Sequence, residues 1–139
     1  MKGAILLALL LYGVCVSAGP INEARAHTNY QLYCQGCHSP EGMGHKSIPR
    51  LAGRVGSYLK LPAGRDYLVR VPGAATTILS DRDLAEVLNW IILHFGGKST
   101  PKDFKYYTAR EVGNLRSRPL LKVREVRRKL HEQLGYSGK

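Results

Sequence analysis

Residues 33–38 read Tyr-Cys-Gln-Gly-Cys-His, and Cys34 and Cys37 are two of only three cysteines in a chain of 139 residues. Two thiols three positions apart, with a histidine directly behind, suit few sites. Such a pair can seed a zinc site, cycle as a redox dithiol, or bond covalently to a haem. Zinc requires two further Cys or His ligands at matching spacing, and the chain has no second Cys-x-x-Cys and no His-x-x-x-His. A thioredoxin-like dithiol requires a βαβ context, which is absent around these residues.

The N-terminus sets the compartment. Lys2 precedes an apolar run from Ala4 to Val16, followed by the small residues Ser17-Ala18-Gly19-Pro20. This order is that of a secretory signal peptide. We expect it to span 1–18, with 26 as the alternative end. Thirteen apolar residues fall short of the roughly 20 needed to span a bilayer, so an uncleaved anchor ranks second. Cys15 should leave with the signal. No other long apolar run follows, and no stable membrane span is expected after cleavage. Cys34 and Cys37 are then the only cysteines of an exported chain, too few for a disulfide framework. The trailing histidine and the export together point to haem. The two thiols would add across the porphyrin vinyl groups as thioethers, and His38 would supply the proximal imidazole to the iron.

Three stretches carry a family resemblance: "NYQLYCQGCH", "SPEGMGHKSIPRLAG" and "LSDRDLAEVLNWIILHF". From about Asn29 to Gly96 the chain resembles the small monohaem class I cytochromes c of bacteria. The resemblance implies an all-α fold, class I cytochrome c-like, wrapped on one covalent haem c with its iron. It implies a cytochrome domain over 27–97. It also implies that Pro49 contacts the proximal imidazole, its carbonyl fixing the ring through the Nδ1 hydrogen. Most electron-transfer members take a methionine sulfur as sixth iron ligand from the loop before the C-terminal helix. That loop here, "RVPGAATTILSD" from Arg70 to Asp81, holds neither methionine nor histidine. We expect an open or water-occupied distal site walled by Ala74, Ala75, Thr76 and Ile78. Met43 or His45 is the candidate sixth ligand otherwise, although both sit in the loop expected on the proximal side. His94 is expected to be a core or half-exposed histidine, and His27 and His131 surface residues.

Local patterns predict the elements. Tyr30 and Tyr33 share a face of a helical segment over Asn29–Cys34. Residues 39–53, with three glycines and two prolines, read as loop. A short helix from Val55 should end near Lys60, interrupted by Pro62 and Gly64, with a second element over Arg65–Arg70. Ser80 and Asp83 cap a helix from Asp81 to about Phe95, whose Leu84, Val87, Leu88, Ile91, Ile92 and Phe95 form one stripe. Trp90 lies near that stripe, as core or haem-edge packing. The remainder, 98–139, is a basic helical C-terminal extension. Thr108 and Glu111 form a capping box for a helix to about Arg116. Pro119 should open a longer helix striped by Leu120, Val123, Val126, Leu130 and Leu134 and stopped by Gly135.

Of the net charge of +11, most lies in this tail, with twelve Lys and Arg against four Asp and Glu. The basic face is either a solvated helix surface draped over the core or a docking surface. We expect a periplasmic carrier of single electrons, docking through its basic surface on an acidic redox protein such as a periplasmic dehydrogenase or oxidase. The alternative is a haem-based binder or sensor of small ligands with an open distal iron. An enzyme is not expected, because peroxide cleavage calls for a distal acid–base group and the loop offers only threonines. Nucleic acid is not expected as a partner, given export and the lack of a recognition motif.

Overall fold

Asn22 caps the first helix with its side chain, its Oδ1 accepting the Arg25 N–H at 2.9 Å. The computed structural model describes residues 21–136, and the expected signal segment with Cys15 lies outside them. Helix α1 (Glu23–Tyr33) begins six residues before the expected start at Asn29. Polar contacts rather than an apolar stripe explain the difference. Arg25 grips Glu86 with two bonds of 2.7 Å, the Asn22 N–H reaches Glu86 Oε1 at 2.9 Å, and the Trp90 indole N–H donates to Glu23 Oε2 at 2.9 Å. No periodicity of α1 itself announces them.

Helix α2 (Gln35–His38) carries the Cys-x-x-Cys-His motif, and a loop and a 3-10 turn (Val55–Lys60) lead to α3 (Pro62–Arg70). Helix α3 starts three residues earlier than expected because Pro62 takes the first helical position, where its missing N–H costs nothing. Gly64 is no break. A Cβ there would meet the Tyr58 carbonyl oxygen at 2.1 Å, so only glycine lets α3 lie against the 3-10 turn. A single turn, α4 (Pro72–Ala75), precedes α5 (Asp81–Phe95). Ser80 caps α5, its Oγ accepting the Asp83 N–H.

Helix α5 is the spine of the core. Leu84, Val87, Leu88, Ile91, Ile92 and Phe95 are all buried, and α1 packs across it through Ala26 and Tyr30. Trp90 is core packing: its ring lies within 5.4–5.7 Å of Tyr30 and Phe95, between α1 and α5.

The tail folds back. Helix α6 (Ala109–Arg116) is capped by Thr108 and packs on α5. Arg65 ties it down by a bidentate pair to Glu111 and lies 4.0 Å over the Tyr107 ring, while Asn89 exchanges two hydrogen bonds with the Tyr107 backbone. Helix α7 (Val123–Gln133) starts at Val123, not Pro119. The Leu120 N–H instead bonds the Arg70 carbonyl at 2.8 Å, which holds that stretch off the helix axis. Leu130 is buried against Tyr58 and Tyr67, with Val123, Val126 and Leu134 around it. Among the described residues there is no strand, only an isolated bridge between His45 and Ile48.

Burial alone would raise the Glu86 carboxyl, but the Arg25 and Asn22 hydrogen bonds outweigh it and hold the group below its ordinary value. A depressed carboxyl stabilises the fold at pH values above the unfolded value and loses that contribution as the pH falls through the folded one. Glu86→Gln should therefore lower stability at pH 7 and flatten the acid limb of the stability curve below about pH 4.5, measured by denaturant titration across pH. An unchanged acid limb would contradict the role given to this pair.

Candidate functional site

A turn and a half of backbone sets both thiols side by side. The Cys37 and His38 N–H groups bond the Cys34 carbonyl at 3.1 and 3.0 Å, so residues three apart project from one face. Both cysteines are free, Cys34 half-buried and Cys37 exposed. Burial first, and the neighbouring Cys37 second, push the Cys34 thiol up to about 11, so it stays protonated.

His38 Nδ1 lies 3.1 Å from the Pro49 carbonyl. A carbonyl only accepts, so Nδ1 carries the hydrogen and the free lone pair sits on Nε2. Burial lowers the His38 pKa and the Pro49 bond partly opposes this, which favours the neutral imidazole a metal requires.

Cys34, Cys37, His38 and Pro49 all border one cavity of about 600 Å³. Its other walls come from α3, α4, α5 and the loop between α4 and α5, and they are mostly apolar: Leu68, Val71, Leu84, Leu88, Ile91 and Ile92 among them. A large flat apolar guest with two vinyl carbons at the thiols suits this space. Thr77, on the wall, has the one buried side-chain hydroxyl among the described residues without a hydrogen-bond partner, a defect of about 1–3 kcal/mol in a protein without a guest.

Of the distal residues expected from sequence, only Ala74 borders the cavity. Ala75, at the end of α4, is buried away from the cavity, while Thr76 and Ile78 are exposed. Val71, Pro72, Gly73, Thr77 and Leu79 take their place, because the α4 turn rotates the segment. Met43 and His45 are both exposed and border no part of it. His94 and His27 are exposed and stack on Trp90. His131 departs from its expected surface position. It is half-buried with Nε2 2.7 Å from the Tyr58 hydroxyl, because α7 lies back over the 3-10 turn.

Sequence reasoning missed Tyr58, Tyr67, Arg124 and Arg127 at the cavity. The signal for Arg127 was present: it falls in register with Val123, Leu130 and Leu134, on the buried edge of α7. Burial raises the Tyr67 phenol, opposed by the adjacent Arg127. A smaller adjoining cavity of about 250 Å³ is lined by Lys46, Arg50, Arg54, Arg127 and His131.

Arg116 holds the wall from outside. Its guanidinium donates to the carbonyls of Ala75 (3.1 Å), Leu79 (2.7 Å) and Thr77, and pairs with Asp81 at 3.2 Å. Arg116→Ala strips three partly buried carbonyls of their donor and should cost about 1–3 kcal/mol, while Arg116→Lys, which lacks the fork, should recover only part. Thermal unfolding of both variants checks this, and a loss below ~0.5 kcal/mol would show that the loop holds itself.

No family model and no solved structure matches the chain. Two cytochromes c-552 do. One, from a designated strain of Thermus thermophilus, is 31% identical over 139 aligned positions, covering 86% of this chain and 90% of the relative. A second from Thermus thermophilus is 34% identical over 106 positions, covering 63% of this chain and 81% of its own. Similarity of that extent, joined to an all-helical fold around a cavity bordered by Cys-x-x-Cys-His, places the chain among the small monohaem c-type cytochromes, electron-transfer proteins that carry a covalently bound haem c and its iron.

Proposed function

We propose that this protein is an exported, periplasmic carrier of single electrons that docks on acidic redox partners through its basic C-terminal segment. In this reading Cys34 and Cys37 hold the haem as thioethers and His38 is the proximal iron ligand, oriented by Pro49. The observation that carries it is the His38–Pro49 hydrogen bond at the edge of an apolar cavity bordered by both cysteines. The cytochrome unit, expected over 27–97, gains Asn22 to Arg25 at its front through their bonds to α5, and the basic extension is 98–139.

Bound haem c supplies an iron that gains and loses one electron. The chain does the rest. Pro49 keeps the hydrogen on His38 Nδ1 and so strengthens Nε2 as a donor. The walls from Leu68 to Ile92 exclude water, and the low dielectric disfavours the more highly charged oxidised state, which raises the potential. The haem's carboxylates need cations. Arg124 and Arg127 at the main cavity, and Arg50 and Arg54 at the adjoining one, would meet them. Cys37 is exposed, so a ring bonded to it would have an edge within a partner's reach.

The docking reading has its own support. Lys122, Arg124, Arg128 and Lys129 are exposed on or beside α7, next to the cavity. Oppositely charged patches speed encounter and fade as salt shortens the Debye length to about 10 Å at 0.1 M. Among the described residues no helix is long and apolar enough to cross a membrane. Signal removal after Ala18 is also favoured over removal after Ala26, since the later cut would delete Asn22, Glu23 and Arg25 and every bond they make to α5.

His38→Ala should remove the histidine-ligated spectrum while leaving the haem covalently attached, read by absorption and by mass on the same sample. Retention of the wild-type spectrum would overturn the proximal assignment. Electron exchange with an acidic redox protein should slow at least about tenfold between low and physiological salt, and Arg128→Glu with Lys129→Glu should remove most of that dependence. A rate indifferent to salt and to charge reversal would remove the basic face as a docking surface.

A further inference from the structure

We propose that no side chain among residues 21–136 ligates the sixth position of the haem iron, and that the wall from Val71 to Leu79 keeps that position for a small uncharged ligand of the carbon monoxide or nitric oxide class. The inference rests on the covalent haem and proximal His38 proposed above.

Histidine, methionine and lysine are the neutral donors a protein offers an iron of this kind. Of these, His38 alone borders the cavity among the described residues, and the two thiols there are committed to the ring. Met43 and His45 are tied elsewhere. The Gly44 N–H donates to the His38 carbonyl at 3.1 Å, the Met43 N–H to Ser39 Oγ at 3.2 Å, and the Ile48 N–H to the His45 carbonyl at 2.9 Å, one residue before Pro49. Gly44 has a φ of +70°, and a Cβ there would sit 2.5 Å from the Ile48 carbonyl oxygen, so the turn closes tightly on itself. Both candidates are thus pinned to the segment that orients His38, and Met43 is 48% exposed.

The other histidines are engaged as well. His94 lies 4.4 Å from the Trp90 ring and His27 lies 5.4 Å from it, while His131 meets the Tyr58 hydroxyl. Tyr58 and Tyr67 border the cavity but stack on one another at 5.2 Å, and burial raises both phenols against the phenolate form that binds iron.

The second line is mechanical. Arg116 anchors this loop through the carbonyls of Ala75, Thr77 and Leu79. The loop keeps its place without a bond to metal. Val71, Pro72, Ala74 and Leu79 give its cavity side an apolar lining, which disfavours a charged ligand and admits a neutral one. Binding forms one bond, from the ligand's carbon or nitrogen lone pair to ferrous iron. At most a water leaves, and no electron is consumed.

Gly73 supplies the test. It borders the cavity, and a Cβ built on it meets nothing within 4 Å. The mature, haem-loaded protein is verified by mass, reduced, and titrated with carbon monoxide while the absorption spectrum is followed. Wild type should convert completely to a carbonyl spectrum. Met43→Ala and His45→Ala should bind equally well. Gly73→Met, which places a thioether on the wall, should become low-spin and bind at least about tenfold more weakly. A haem-loaded wild type that ignores carbon monoxide overturns the inference alone. So does a gain of binding in Met43→Ala or His45→Ala, which would expose that residue as the ligand. A chain whose mass lacks the haem overturns this inference and the function beneath it together.

Discussion

An apolar cavity of about 600 Å³ in a chain this short is the constraint around which the remaining structure is arranged. Its walls belong to separate elements: the α2 turn and the loop to Pro49 on one side, α3, α4 and α5 on another, and α7 at the mouth. Each element buries one face on a neighbour and turns another toward the cavity. Collapse of the space would break the contacts of α5 with α1 and α6, and filling it with water would leave mostly apolar walls wetted. A large planar guest resolves both, which makes the haem a part of the core as much as a reagent.

The basic tail acquires a structural meaning from this arrangement. Its charge suggested a surface for another molecule, yet α6 and α7 spend much of their chemistry on the chain itself. Arg65 and Glu111 clamp α6, Arg116 supports the cavity wall, and Leu130 packs on Tyr58 and Tyr67. The alternatives of draped helix and docking surface are compatible, because α7 has two faces. Leu130, Val126 and Arg127 turn inward, and Arg128 and Lys129 turn outward.

What was legible in the sequence follows from how local each signal is. The Cys-x-x-Cys-His turn, the Ser80 cap and the α5 stripe need only neighbours within a few residues, and the structure realises each where the pattern lies. Helix α1 was half legible, because Arg25–Glu86 and Trp90–Glu23 join residues more than sixty positions apart. Pro62 and Gly64 misled in one direction, reading as a break when the first starts a helix and the second admits a carbonyl. Pro119 misled in the other, since the Leu120–Arg70 bond overrides its preference for a helix start. At the site, Cys34, Cys37, His38 and Pro49 come together on one wall, whereas the opposing wall was only partly foreseen. Which residues of 70–81 border the cavity depends on the α4 turn and on Arg116, neither visible in the loop itself.

Folding and electron transfer here both depend on a covalent bond between this chain and a porphyrin at two particular sulfurs. The direct measurement is mass spectrometry of the proteolytic peptide spanning residues 34–38, taken from protein exported by a haem-attaching host. The peptide should carry the mass of one haem, with neither Cys34 nor Cys37 open to a thiol-alkylating reagent. Recovery of that peptide at its bare mass, with both thiols alkylated, would contradict the account at its root.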